Sequence, residues 1–274
     1  MLIQMTDMHI RAPGVLTYRR IDTSAYLRRA VDKVLSLGLP IEGVVLTGDL
    51  TDFGRPEEYA HLRDLLNPLM ERYPVHLVMG NHDERSAMKA TFADIPSLQT
   101  ESFVQYAAEV GSLRLVVLDT SVPGRHHGEL CEQRLSWLDG ALTDANGHPI
   151  VIALHHPPFD TCIGPMDRNG LLKGREELAE IVSKHPNVQR VICGHMHRSI
   201  QVGFGGTVAM SAPSVAHQLH FELGNAKQAA WALEAPAVLL HMLNDQGHMV
   251  THTIHTEESD GPYPFWDENG DLID

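Results

Sequence analysis

Short apolar runs alternate along this chain with segments whose apolar positions recur at helical spacing. Residues 2–6 read as a first strand that stops at Asp7, followed over 14–21 by a loop of turn formers and basic residues. The spacing predicts a helix from Asp22, a suitable N-cap, to Leu37, with Leu27, Ala30, Val31, Val34 and Leu35 on one face and Gly38 and Pro40 ending it. Residues 41–47 contain Val44-Val45-Leu46, a continuous apolar run of the buried-strand kind, and lead into Gly48-Asp49. Pro56 opens the next helix, Glu57 and Glu58 suit the positive end of its dipole, and Leu62, Leu65, Leu66 and Leu69 supply the buried stripe. After Pro74, residues 75–79 read as a strand that runs into Gly80-Asn81-His82-Asp83, and a helix-like segment begins at Glu84.

The alternation continues less regularly. Strands are predicted over 113–118, ending at Asp119, over 150–154, ending in His155-His156-Pro157-Pro158, and over 188–193, ending in Gly194-His195. Helices are predicted over 132–142 and 176–184, and later strands over 207–211, 237–243 and 249–256, the last two joined as a hairpin through Asp245-Gln246-Gly247. Strands alternating with helices imply an α/β fold with layered sheet and helices. In such folds ligands collect at the carboxyl ends of strands, which is where every polar cluster of this chain falls. Residues 1–211 are accordingly read as a catalytic core and 212–236, where alternation lapses, as a cap or insertion over the site. Residues 237–256 return as strands to the core, and 257–274 form an acidic and aromatic tail.

Composition adds exclusions. The net charge of −14, from 35 acidic and 21 basic side chains, argues against a surface for long nucleic acid but leaves a small phosphate substrate open. No apolar run approaches the roughly 18 residues of a spanning helix, so no membrane partner is expected, and no signal peptide is visible before Asp7. Three cysteines with no pairing pattern point to a reducing cytoplasm. Of the 18 histidines, His61, His126, His127, His148, His185 and His248 are expected on the surface.

Five clusters carry the chemistry: Asp7-Met8-His9, Gly48-Asp49, Gly80-Asn81-His82-Asp83, His155-His156 and Gly194-His195-Met196-His197. Asp7 and His9, two apart, would point the same way in an extended strand, as would His195 and His197. Asp49 could reach two cations at once, Asn81 offers an amide oxygen and His156 an imidazole. Two carboxylates, one amide and four imidazoles, without thiolate, suit Fe, Mn, Zn or Co better than Ca or Mg. Singly, each cluster reads as a turn or an exposed loop; all five after apolar strands make a two-metal site.

In this order the clusters resemble the motifs of the calcineurin-like metallophosphoesterases over residues 1–200. The resemblance implies a four-layer α/β/β/α sandwich with a small cap or oligomerisation insertion. It implies two divalent metals, Fe or Mn favoured, one held by Asp7, His9, Asp49 and His197 and the other by Asp49, Asn81, His156 and His195. His156 is chosen over His155 because the family is read as using the second histidine of this motif. His82 is not a ligand: with Asn81 it would contact the substrate phosphate, and it would donate a proton to the leaving oxygen, with Asp83 orienting it. A hydroxide between the metals would attack phosphorus. Gly54-Arg55-Pro56-Glu57-Glu58-Tyr59 and the stretch from Ala212-Pro213-Ser214 to His217-Gln218 are similar to a bacterial branch of glycerophosphodiesterases and class III 3′,5′-cyclic-AMP phosphodiesterases. That branch implies small phosphodiester substrates and a homo-oligomer, with His217, His220 and Phe221 either shaping the alcohol or nucleoside side or serving packing. The alternatives are a phosphomonoesterase or protein phosphatase on the same scaffold, and a non-enzymatic binding scaffold, which predicts missing ligands where none is missing.

Overall fold

A computed structural model describes residues 1–224 and 227–273. Its first half runs β1 (Leu2–Met5), α1 (Thr23–Ser36), β2 (Gly43–Leu46), α2 (Pro56–Met70), β3 (Val75–Leu77) and α3 (Arg85–Thr91). The second half runs β4 (Tyr106–Val110), β5 (Leu113–Val117), β6 (Gly128–Glu129), α4 (Glu132–Thr143), β7 (Ile150–Ala153), α5 (Gly164–Asp167), β8 (Leu171–Lys173), α6 (Arg175–Lys184), β9 (Val188–Cys193), β10 (Ile200–Phe204) and β11 (Thr207–Ser211). The short β12 (Gln218–Leu219) and β13 (Trp231–Ala232) precede the long hairpin β14 (Ala237–Leu243) and β15 (Met249–His255).

Capping follows the local sequence. The Asp22 carboxylate accepts from the Ala25 backbone N–H at 3.0 Å and starts α1. Glu84 accepts from Ser86 and Ala87 at 3.1 and 2.7 Å and starts α3. Glu58 accepts from the backbone of Phe53 and Arg55, which ties the loop before α2 to that helix.

One sheet has the order β15-β14-β1-β2-β3, with β1, β2 and β3 parallel; the other is β10-β11-β9-β7-β5-β4, with β5, β7, β9 and β11 parallel. Leu115 and Val117 on β5 share a core with Leu2, Ile3 and Val44, whereas Val116 packs with Leu138 of α4 and Leu178 of α6. Alternate residues of one strand thus face the other sheet and the outer helices, while α1 and α2 cover the first sheet, which gives the α/β/β/α sandwich. Gln4 crosses between the sheets, donating through Nε2 to Thr47 Oγ1 and to the Cys193 carbonyl, both at 3.0 Å, and accepting from His241 at 3.1 Å. This aligns the ends of β1, β2 and β9.

The strands β4 and β10 were not anticipated. Both are sheet edges with residues left partly open to solvent, so neither carries the unbroken apolar run of a central strand. The stretch 212–236 divides in two. Ala212, Ser214, Val215 and Ala216 are fully buried, with the Val215 N–H on the Thr6 carbonyl and Ser214 Oγ donating to the Asp7 carbonyl. Beyond them, buried β12 pairs with half-buried β13, and the residues described between them, 220–224 and 227–230, are exposed; Asn225 and Ala226, within the alanine-rich run, lie outside the described residues, as does Asp274 of the tail. No helix among the described residues is long and apolar enough to cross a membrane.

His76 on β3 is buried, its Nε2 has no hydrogen-bond partner among the described residues, and burial pushes it down to about 4. Because its folded pKa lies below the usual 6.5, the unfolded chain binds more protons between those values and stability falls as pH drops through that window. Chemical denaturation at about pH 7.5 and about pH 5 is expected to show wild type losing about 2 kcal/mol more than His76→Leu. Equal losses would contradict it.

Candidate two-metal active site

The parallel strands of both sheets end at one edge, and the five clusters follow those ends. Asp7 and His9 come after β1, Asp49 after β2, Asn81 and His82 after β3, His155 and His156 after β7, and His195 and His197 after β9. Asp7, His9, Asp49, His195 and His197 all sit in the left-handed backbone region, at φ 54°, 45°, 48°, 68° and 47°. Their convergence therefore comes from left-handed turns beyond the strands, not from the pleat expected for an i, i+2 pair. Each such residue costs about 1–2 kcal/mol and persists only where neighbours enforce it. Here Asp7 N–H donates to Gly48 O at 3.1 Å, His9 N–H to Asp49 O at 3.0 Å, and His195 N–H to Asp7 Oδ2 at 3.0 Å. Gly80 is required by close approach, since a Cβ there would overlap the Asp49 backbone nitrogen and Oδ1.

The side chains form two adjoining groups that share Asp49. In one, His197 Nε2 lies 3.3 Å from Asp7 Oδ1 and 3.2 Å from His9 Nε2, and His9 Nε2 is 3.7 Å from Asp49 Oδ2. In the other, His155 Nε2 lies 3.4 Å from Asp49 Oδ1, 3.2 Å from Asn81 Oδ1 and 3.3 Å from His195 Nδ1. The two oxygens of Asp49 thus face different groups.

His155, His156 and His195 bring ring nitrogens within 4.8 Å of one another, and of the two adjacent histidines it is His155 whose Nε2 faces Asp49 and Asn81. His155 donates through Nδ1 to the Thr47 carbonyl at 2.8 Å, which turns the Nε2 lone pair into the cluster. Both nitrogens of His156 are occupied, Nδ1 by the Thr120 hydroxyl at 2.7 Å and Nε2 by the His126 carbonyl at 3.1 Å. Burial holds His156 well below the usual histidine range, so it remains a neutral neighbour.

His82 lines the cavity, its ring 4.7 Å from that of His9. Its Nδ1 donates to the Asp52 carbonyl at 2.8 Å, which leaves Nε2 for the cavity. Burial opposes a charge on His82, but Asp49 and Asp52 outweigh it and raise its pKa. Asp83 does not orient it. The Asp83 carboxylate accepts from Leu50, Thr51 and Gly80 N–H groups and from Tyr59 Oη, which locks the turn after β3 to the one after β2. Asp52, which sequence reasoning missed, holds His9 Nδ1 at 3.3 Å and is itself held by Arg11 at 3.1 Å.

Burial would raise the carboxyls of Asp7 and Asp49, yet the surrounding histidines hold both below the usual range. Burial would lower His155, but Asp49 and Asp7 raise it to about 9. The site therefore demands positive charge, which a proton on His155 meets in part. The donor set fits two divalent cations: with Nδ1 of His9 on Asp52 and Nδ1 of His197 on the His217 carbonyl, their neutral Nε2 atoms face each other at 3.2 Å with no donor between them, and a cation could take the place of the proton on His155 Nε2 beside Asp49 and Asn81. The acceptor-to-acceptor contact of His9 and His197 is repulsive until a cation accepts both.

A cavity of about 320 Å³ opens from these groups. His217 is buried beside His197, ring centroids 4.6 Å apart, and lines the cavity; His220 and Phe221 are exposed and do not line it. His126 is exposed, as expected of a surface residue, and also lines it, as do Tyr18, Asn169 and Trp231. These sit in loops and a two-residue strand, where no periodicity marks them.

A family profile described as calcineurin-like phosphoesterase matches residues 2–199. The chain is 32% identical over 273 residues to the "Probable glycerophosphodiester phosphodiesterase GpdQ" of Arcobacter nitrofigilis, covering 100% of this chain and 99% of that one. It is 27% identical over 251 residues to the 3′,5′-cyclic adenosine monophosphate phosphodiesterase CpdA of Pseudomonas aeruginosa, covering 92% and 88%. A dimetal phosphatase from Danio rerio superposes with a TM-score of 0.65 over 94% of this chain and 96% of that one, at 19% identity.

Metal analysis of His155→Ala and His156→Ala separates the two histidines. His155→Ala is expected to fall from about two ions per chain to about one, while His156→Ala keeps both. The reverse pattern would restore His156 as the ligand. Gly80→Ala is expected to keep its far-ultraviolet spectrum but lose metal, because Asp49 must move away from the new methyl group.

Proposed function

The chain belongs to the calcineurin-like phosphoesterase family, and from that premise we propose that it is a dinuclear-metal phosphodiesterase hydrolysing small phosphodiesters. The diesters in view are 3′,5′-cyclic nucleotides and glycerophosphodiesters, the classes named for its relatives. One observation carries the reading. Asp7, His9, Asp49, Asn81, His155, His195 and His197 converge at the strand ends, and His82 stands at the cavity beside them with its ring fixed through Nδ1.

Two divalent cations, with Fe or Mn favoured for this nitrogen-rich set, would supply Lewis acidity toward the phosphoryl oxygens and a more acidic water. Asp7, His9 and His197 would hold one, Asn81, His155 and His195 the other, and Asp49, whose two oxygens face the two groups, would serve both. The chain's own residues do the rest. His82 as imidazolium places its Nε2 proton toward the phosphate and delivers it to the leaving alcohol oxygen as the ester bond breaks. The Asp52 carbonyl holds that ring in one tautomer, and the Asp52 carboxylate does the same for His9. Asn81 places its amide beside the phosphate path.

Free thiols at Cys131, Cys162 and Cys193 support a cytoplasmic setting. Exposed Tyr263, Phe265 and Trp266 in the tail support a homo-oligomer.

Turnover of bis-p-nitrophenyl phosphate is expected to exceed that of the monoester; a strong monoester preference would favour the phosphomonoesterase reading. His82→Ala is expected to keep both metals and lose about 10²–10⁴ in turnover of an alkyl diester, with a smaller loss for a p-nitrophenyl leaving group. Loss of metal in that variant would make His82 a ligand instead.

A further inference from the structure

The cavity has a polar inner end and an apolar outer one. Among the described residues that line it, Asp49 is the only acidic or basic side chain other than histidine. The outer end is formed by Tyr18, Met166, Asn169, Leu219 and Trp231.

Tyr18 lies on the loop before α1, and Trp231 forms β13. Their rings meet nearly parallel, centroids 5.7 Å apart at 15°. His217 meets Tyr18 edge-on at 5.3 Å and lies 5.4 Å from His9, so rings step outward from the candidate ligands to this pair. Tyr18 is held at φ 49° and Arg19 at φ 57°. A bulky aromatic in the left-handed region is an outlier, and such strain clusters at ligand-binding sites. Core burial does not account for it, because Tyr18 remains 48% exposed.

We propose that Tyr18 and Trp231 form a stacking wall for a planar base, so that the site prefers diesters whose alcohol carries a nucleobase over glycerophosphodiesters. The inference rests on the phosphodiesterase reading and names its substrate class. With phosphate at the strand ends, the sugar of a 3′,5′-cyclic nucleotide passes His217 and the base reaches the aromatic pair. Beside the Tyr18 hydroxyl, the Asn169 amide lies at that end, and it offers both a donor and an acceptor to a base edge. A glycerol headgroup would leave the ring faces uncovered and find few partners for its hydroxyls.

Two measurements test it. In metal-depleted protein, adenosine 5′-monophosphate is expected to quench tryptophan fluorescence, and the quench is lost in Trp231→Leu but kept in Trp137→Phe and Trp266→Phe. In metal-loaded protein, the ratio of kcat/KM for 3′,5′-cyclic AMP to that for glycerophosphoethanolamine is expected to fall roughly ten- to hundred-fold in Trp231→Leu, chiefly through KM, and to be largely retained in Trp231→Phe. Parallel losses on both substrates, or a quench that survives in Trp231→Leu, would overturn the stacking wall. A wild-type protein that turns over neither diester would overturn the phosphodiesterase reading, and the fluorescence arm would still decide the wall.

Discussion

Two carboxylates, Asp7 and Asp49, are buried where the ends of β1 and β2 meet, and the rest of the site follows from the need to neutralise them. A buried anion without compensation costs several kcal/mol. Backbone N–H groups supply part of the compensation: His195 donates to Asp7, and His82 donates to Asp49 at 2.9 Å. Imidazoles supply the next part, and the charge deficit that remains is what a pair of divalent cations meets. The same requirement explains five candidate ligands in left-handed backbone. The strain is tolerated because electrostatic compensation at the bottom of the site depends on it.

Rigidity comes from links between turns rather than from the turns themselves. Gln4 joins the two sheets just below the site, Ser214 ties the buried stretch after β11 to the Asp7 carbonyl, and Asp83 clamps the turn after β3 to that after β2. Arg85 makes a two-pronged contact with Asp119 and also reaches the Ser121 carbonyl, while Ser121 holds the Gly80 carbonyl. The segment that carries Asn81 and His82 is thus braced from both sheets. Asp52 couples one candidate ligand to the candidate proton donor, since its carboxylate meets His9 and its carbonyl meets His82.

Chemistry and selectivity are divided between different parts of the fold. The groups proposed to act on the phosphate sit at the ends of central strands, where packing on both faces fixes them. The residues that would meet the alcohol side lie on the loop before α1, near α5 and on β13. Those segments can change shape without disturbing the carboxylates.

Much of this was legible in the chain. Apolar runs at 44–46, 150–154 and 191–193 marked central parallel strands because such strands are buried on both faces, and the polar clusters directly after them marked one edge of the sandwich. Edge strands β4 and β10 escaped because partial exposure removes that signal. The choice between His155 and His156 could not be read from two adjacent identical residues; it depends on the Thr47 carbonyl and the Thr120 hydroxyl, which lie 108 and 36 residues away. Asp52, Tyr18 and Trp231 were hidden for the same reason, their meaning being set by neighbours distant along the chain. The sequence by itself determined the fold class, the strand ends that carry chemistry and the kinds of donor atom. Only the tertiary structure decided which nitrogen faces the site, because a ring's direction is chosen by the hydrogen bond at its far side.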